Sequence, residues 1–495
     1  MNEQYPLPIA FVRRMQEQLG PDAAAYFAAM EEPWHRGLRL NPMKPLPADH
    51  PLHGDLLEPV PWHKGGWYLS NDSTLGAHPL HEAGAYYIQE PSAMTAVSVL
   101  APKPGERVLD LCAAPGGKST QIAGMLAGEG LLVCNEPVPS RSKILSRNIE
   151  RMGIGNALVV SADPDQLCAK WQNCFDAILV DAPCSGEGMF RRHPETRLEW
   201  NEQSPAGCAA RQSRILNAAV QMLKPGGRLV YSTCTLNLVE NEQMVEGLLA
   251  EHPELSAVAF SLVVENEWGA GGLSPCRAWA EPTNERSAES VSTVSAEGAR
   301  CAAEPLRTMD APDGMLHLYP HQFKGEGHFV AQVRKAAEDA LGDDSADATD
   351  FLPAAQQLAK PDKAMLAAYA AFVKSFGGDL PEANAQFGDM LIAAPDLPPL
   401  KGLKVLRAGL QLGSMKGKIF MPDHALAMGL TTGGDYPTVA VDESQAAAYQ
   451  RGETLPVPDD VSGYCLVTLD GLALGFGKAS GGQVKNHYPK GLRRG

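Results

Sequence analysis

The chain has 495 residues, 44% of them hydrophobic, and a formal net charge of −16; that length is too great for one ordinary core and predicts two or three domains. No apolar run approaches the roughly 20 residues of a spanning helix, and the opening MNEQYPLPIAFVRRMQEQLG lacks the basic-then-apolar layout of a signal peptide. A protein without membrane insertion, located in the cytoplasm, is expected. The ten cysteines form no CxxC pair, which argues against a metal site and leaves most of them as free, buried, small apolar side chains. The acidic balance alone would also argue against a nucleic-acid partner, because phosphate contacts need Lys and Arg. The average conceals a segregation of charge. Residues 336 to 350 hold six acids (Glu338, Asp339, Asp343, Asp344, Asp347, Asp350) and no base, whereas 401 to 422 hold five bases (Lys401, Lys404, Arg407, Lys416, Lys418) and no acid. The last 25 residues carry Lys478, Lys485, Lys490, Arg493 and Arg494 without an acid, so basic surface is concentrated rather than absent.

From about 105 to 250 short apolar runs alternate with helical stretches, the signal for a parallel sheet wound by helices. Strands are predicted at Arg107 to Leu111, Leu131 to Glu136, Ala157 to Ser161, Phe175 to Val180 and Arg228 to Ser232, with helices near 118–127, 140–152 and 206–223. The turn Lys224-Pro225-Gly226-Gly227 stops the last helix and starts the last of these strands. A further strand at Gly327 to Val333 closes the domain. Residues 280–306, rich in Ala, Ser and Glu without apolar period, read as a surface insertion or disordered loop. An acidic linker, 336–362, follows. Ala364 to Phe376 is a short amphipathic helix, and a Gly-rich, strand-like segment ends the chain. The fold class is thus α/β, doubly wound and Rossmann-like.

Asp110-Leu111-Cys112-Ala113-Ala114-Pro115-Gly116-Gly117-Lys118-Ser119 lies between the first strand and its helix, where backbone amides and a helix N-terminus can receive a ligand. Gly-Lys-Ser also ends a phosphate-binding Walker loop, but that motif needs Gly at position 112, which is Cys. Acids stand at the later strand ends: Glu136, able to accept both hydroxyls of a ribose, then Asp163 and Asp181. An adenosine-containing cofactor satisfies this layout, with Asp163 near the adenine and Arg141 flanking the site. The competing reading of Asp163, in Ala162-Asp163-Pro164-Asp165, is a residue that only shapes a turn.

Cys184, in Asp181-Ala182-Pro183-Cys184-Ser185-Gly186, and Cys234, in Tyr231-Ser232-Thr233-Cys234-Thr235, each follow a strand and are 50 residues apart. Residues just past parallel strand ends line the ligand crevice, so two thiols facing one pocket point to covalent chemistry.

The segments DLCAAPGGKS, DAPCSGEGMF and YSTCT, with Tyr319-Pro320-His321 and Gly325-Glu326-Gly327-His328-Phe329, resemble the Sun-type RNA cytosine-5 methyltransferases over roughly 30–335, and Lys485 to Arg493 extends the resemblance. It implies an N-terminal RNA-binding extension (1–100), a catalytic domain (101–335) and a C-terminal PUA-like RNA-binding region (363–495). It also implies S-adenosylmethionine as cofactor, held by Cys112, Ala113, Ala114, Pro115, Gly116, Gly117, Lys118, Glu136, Arg141, Asp163 and Asp181, with no metal. The substrate it implies is ribosomal RNA, on its own or within the small subunit.

Cytosine carbon 5 is a poor nucleophile until a thiolate adds at carbon 6 and breaks the aromaticity; the activated ring then attacks the methyl donor, and loss of the carbon 5 proton expels the sulfur. By the family pattern Cys234 attacks and Cys184 helps release the product, the opposite of what a Pro-Cys dipeptide suggests in DNA methyltransferases. Asp181 could hydrogen-bond the base edge and Lys118 supply positive charge. A buried base must be flipped out, so RNA-gripping surfaces are expected at Arg191, Arg192, His193, Arg197 and Trp200, and at Arg36, Arg39 and Asn41. Tyr319, His321 and His328 read as packing or rim residues. Alternatives that stay open are a transfer RNA methyltransferase and a catalytically silent ribosome-assembly factor.

Overall fold

The computed structural model describes residues 5–265, 307–337, 348–430, 433–459 and 461–493. The expected insertion at 280–306, most of the acidic run and Arg494 lie outside them. The site is carried by one mixed sheet whose main strands are β1 (Arg107–Asp110), β2 (Leu131–Asn135), β3 (Ala157–Val160), β4 (Phe175–Asp181), β5 (Leu223–Thr233), β6 (His328–Lys335) and β7 (Val405–Ala408), in the order 6-5-4-1-2-3-7. Strands β1 to β5 are parallel and β6 and β7 run antiparallel at the two sides. Helices cover both faces, so strands such as β2 and β3 are buried at every residue and read as unbroken apolar runs rather than alternation.

Each strand expected between 105 and 335 is present, and the helices fall at Gly117–Leu126, Pro139–Arg151 and Ser204–Met222. The expected turn at Lys224 to Gly227 differs: it is absorbed into β5 as a bulge, because Leu223 still pairs with Phe175 while Arg228 pairs with Ala177. Gly226 takes φ 74° there, and its N–H reaches the Ala336 carbonyl at 2.9 Å.

Ahead of this domain, Ile9–Leu19 and Ala23–Glu31 are helices, and an antiparallel sheet runs in the order Leu56–Pro59, Gly66–Leu69, Arg36–Leu40, Tyr86–Ile88. Behind it, one four-stranded and one five-stranded sheet follow. The C-terminal region does not stand apart from the catalytic sheet. β7 extends that sheet beside β3, Trp171 donates to the Pro399 carbonyl at 2.9 Å, and Phe351, Ile392, Leu397 and Ala408 share a core with Leu158, Val160 and Phe175. Among the described residues no helix is long and apolar enough to cross a membrane.

Candidate active site

The strand order reverses between β1 and β4, which opens a crevice at their carboxyl ends. Asp110 and Asp181 end β1 and β4, and Cys234 follows the last residue of β5. At that end the Sγ atoms of Cys184 and Cys234 lie 3.3 Å apart, both partly exposed. Lys118 Nζ pairs with Asp181 Oδ2 at 2.8 Å, and Ser232 donates to Asp181 Oδ1 at 2.8 Å. Burial works against the charge of both partners, yet the contact prevails: the Lys118 pKa is raised and that of Asp181 lowered. Cys184 is pushed well above the usual thiol range by its hydrogen bond to Cys234, by burial and by the nearby charges of Cys234 and Glu240.

The Cys184 loop is pinned from below by Glu240, which is fully buried. It accepts from the Ser185 N–H at 3.0 Å, from the Ser185 hydroxyl, from Gln212 at 2.8 Å and from Asn237 at 2.7 Å. Glu187 does the same for the following turn, pairing with Arg14 and accepting from the Leu236 N–H at 3.2 Å.

The loop from Cys112 to Lys118 wraps the start of the helix Gly117–Leu126, whose N-terminus has no side-chain cap and so leaves N–H groups for a ligand. Gly116 holds φ 115°, and a Cβ on Gly117 would lie 3.3 Å from the Tyr87 ring. Asn135 fixes the loop by donating to the Leu111 carbonyl at 3.1 Å, Asn148 by donating to that of Pro115 at 2.8 Å. Cys112 carries a pKa raised well above the usual thiol range by burial and the acids around it. Asp110 is fully buried; Ser119 donates to its Oδ2 at 2.6 Å, and Oδ1 has no partner. Burial pushes its pKa to about 7.

Glu136 is nearly buried under Arg141, which lies 3.4 Å from it and also donates to the Ala114 carbonyl at 3.0 Å. Asp163 caps the helix Pro164–Cys168 by accepting from the Asp165 N–H at 3.1 Å and pairs with Arg214, so the turn-shaping role is realised there. An uncapped helix start, a glycine cradle, an orphaned buried carboxylate oxygen and a strand-end acid together suit a small polar cofactor with a flat body.

Known proteins match along the whole chain. Residues 97–334 match the family described as 16S rRNA methyltransferase RsmB/F, and 7–91 the N-terminal domain of 16S rRNA methyltransferase RsmF. Residues 371–430 match the first C-terminal domain of that methyltransferase and 436–494 its PUA domain. Ribosomal RNA small subunit methyltransferase F of Erwinia tasmaniensis is 31% identical over 98% of this chain and 97% of its own, and that of Serratia proteamaculans 32% over 99% and 97%. The chain belongs to the RsmB/F family of 16S rRNA methyltransferases. Membership makes it an S-adenosylmethionine-dependent methyltransferase of ribosomal RNA, as the motif resemblance implied. Among solved structures, a methyltransferase homologue from Pyrococcus horikoshii is 26% identical at a TM-score of 0.50, covering 67% of this chain and 96% of that one. NSun6 from the same organism, determined with SFG, shares the fold at a TM-score of 0.51 and 20% identity, covering 68% and 100%.

Within this RsmB/F-family chain, several residues expected to grip RNA are structural. Arg191 is buried and pairs with buried Glu326 at 2.7 Å while donating to the Ala29 and Gly325 carbonyls. Arg197 is spent on the carbonyls of Phe190 and Tyr5, and Trp200 packs on Phe11 and Phe190 with its indole N–H on Glu187. Arg39 and Asn41 are buried as well: Arg39 donates to Thr120 Oγ1 at 2.6 Å and Asn41 to the Met152 carbonyl at 3.0 Å, tying the N-terminal sheet to the catalytic domain. Arg36 is taken by the Asn71 and Ser73 carbonyls. Arg192 is half-buried over the Trp34 ring at 4.7 Å, and His193 is exposed.

Sequence reasoning passed over Ser232 and Glu240, and read His328 only as a packing or rim residue. Ser232 was detectable, because two residues before Cys234 on a strand it must share that residue's face. The places of Glu240 and His328 depend on pairings that no local motif encodes.

Proposed function

We propose that this methyltransferase modifies carbon 5 of a cytosine in the 16S RNA of the small ribosomal subunit, through a temporary covalent bond between Cys234 and carbon 6 of the base. The observation that carries the reading is the 3.3 Å contact of two thiols at the ends of adjacent strands, beside a lysine–aspartate pair. Two thiols in contact divide the labour. Cys184, its pKa raised, stays a thiol and can offer its S–H as a hydrogen bond to the departing sulfur, and Cys234 is the nucleophile. Asp181, kept charged by Lys118 and Ser232, accepts from the 4-amino edge of the cytosine. Lys118 offsets negative charge that builds on the ring as carbon 6 is attacked.

S-adenosylmethionine, when bound, supplies the electrophilic methyl group. The backbone of Cys112, Ala113, Ala114, Pro115, Gly116, Gly117 and Lys118 would line its amino-acid end, Glu136 and Arg141 its ribose, Asp163 its adenine and Asp181 the side nearest the base. The N-terminal extension and the C-terminal PUA-like region hold the RNA, supported by the exposed Lys401, Lys404, Lys416, Lys418, Lys478, Lys485, Lys490 and Arg493; Arg407 is excluded, since it is buried against Glu150. The ribosomal substrate supports a cytoplasmic site of action. The test is methyl transfer to 16S RNA and to small subunits by the full-length protein: Cys234→Ala abolishes it, while Cys184→Ala accumulates a protein–RNA adduct on a denaturing gel. Retained turnover in the Cys234 variant sinks the reading.

A further inference from the structure

His328 opens β6, and the antiparallel register that pairs Phe329 with Thr233, continued by one residue past the end of β5, brings His328 opposite Cys234. Opposite residues of an antiparallel ladder share a face with Cβ atoms about 4.5–5.5 Å apart, and Ser232, the partner of Asp181, lies on that face too. His328 is 3% exposed. Its Nδ1 lies 3.3 Å from the hydroxyl oxygen of fully buried Ser92, whereas its Nε2 is buried with no partner.

The protons in this cluster can be assigned. Glu90 accepts from the N–H groups of Ser92 at 2.9 Å, Ala93 at 2.9 Å and Glu326 at 3.0 Å, so its oxygens are acceptors and the Ser92 hydroxyl, in contact with Oε2, must donate. With its hydrogen committed, the Ser92 oxygen can only accept from His328 Nδ1–H. The ring is then the tautomer with a free lone pair on Nε2. Burial and Lys118 lower its pKa to about 4, with Glu90 and Asp181 pulling the other way, so the imidazole is neutral at pH 7. A buried, neutral, unpartnered acceptor is costly to leave unmatched, and in a cluster that also holds Ser232 and Asp181 a reacting substrate can match it.

We infer that His328, oriented by Ser92 and Glu90, is the base that takes the carbon 5 proton from the methylated adduct, directly or through one water. The inference rests on the covalent route proposed above. The carbon 5–hydrogen bond breaks and the proton goes to Nε2; the electron pair left behind forms the carbon 5–carbon 6 double bond. The carbon 6–sulfur bond breaks at the same time, its pair returning to Cys234. The imidazolium so formed is opposed by the Glu90 carboxylate across Ser92 and by the charge of Asp181.

The test uses full-length protein and 16S RNA carrying tritium at cytosine carbon 5 together with a labelled methyl donor, so that methyl gain and proton loss are read separately in a single turnover. His328→Gln should form the adduct and gain methyl at near the normal rate but release tritium about 10²–10⁴-fold more slowly. Ser92→Ala, which keeps the ring but frees its tautomer, should show the same split to a smaller degree. It also serves if the glutamine variant does not fold. Tritium release that keeps pace with methyl gain in either folded variant, or loss of methyl gain itself, overturns the assignment. If the unaltered protein gains methyl without releasing carbon 5 tritium, the covalent route fails, and the inference with it.

Discussion

The buried Arg191–Glu326 pair offers a quantitative test of how the Cys184 loop is held. Arg191→Met leaves the Glu326 carboxylate, whose side chain is fully buried, without its ion-pair partner, and strips hydrogen bonds of 3.0 and 2.7 Å from the Ala29 and Gly325 carbonyls. Breaking one side of a buried ion pair costs about 3–5 kcal/mol, and two unpaired carbonyls push the loss to the upper end. The sign with pH follows from Glu326, whose pKa is raised by burial and pulled back by Arg191. Without Arg191 the folded-state pKa rises further. A carboxyl raised on folding contributes stability below its unfolded pKa of about 4.3 and loses it as pH climbs through the folded value. The deficit of the variant should therefore be larger at pH 8 than at pH 5, and Arg191→Met with Glu326→Leu should recover much of it. Urea unfolding followed by circular dichroism measures all three. A single variant within about 1 kcal/mol of the parent at pH 8, or a deficit unchanged by pH, refutes the reasoning.

Further outcomes follow from other contacts. Gly188→Ala places a Cβ 2.9 Å from the Gly327 Cα and against its carbonyl, so the two backbones must separate; overpacking of this kind costs about 1–3 kcal/mol, and methyl transfer should fall more than thermal stability because the Cys184 turn moves with it. Asp110 is fully buried with a pKa of about 7 against an ordinary 3.8. Its contribution is present below pH 3.8 and lost as pH rises through 7, on the order of 4 kcal/mol in all. Asp110→Asn should thus flatten the fall in melting temperature between pH 5 and 8, while weakening S-adenosylmethionine binding by calorimetry. Truncation after residue 335 removes β7 and Phe351 from the catalytic core, so the shortened chain should melt well below the full one and lose activity even at low salt, rather than only bind RNA more weakly.

The apolar runs and the Gly-rich loop made the parallel sheet and the cofactor crevice legible, because fully buried strands and strand-end acids leave local marks. The thiol pair was legible for the same reason: both cysteines follow strand ends, and neighbouring ends converge. Charge was less informative. Arg39, Arg191 and Arg197 look like phosphate contacts in a sequence, yet each answers a buried carboxylate or carbonyl, and which of these an arginine meets is decided by packing between distant segments. The joining of β7 to the edge beside β3 was equally invisible, since Val405 to Ala408 is a short run whose partner lies some 245 residues earlier in the chain. His328 sat inside a motif that had been noticed, but its chemistry depends on the register with Thr233 and on the Ser92–Glu90 pair.

The most direct measurement is the position of the covalent bond. Adduct trapped with Cys184→Ala on 16S RNA, digested with protease and nuclease and read by mass spectrometry, should carry a methylated cytosine on the peptide containing Cys234. A nucleotide on another residue, or turnover with no adduct when Cys184 is replaced and Cys234 intact, would contradict the account.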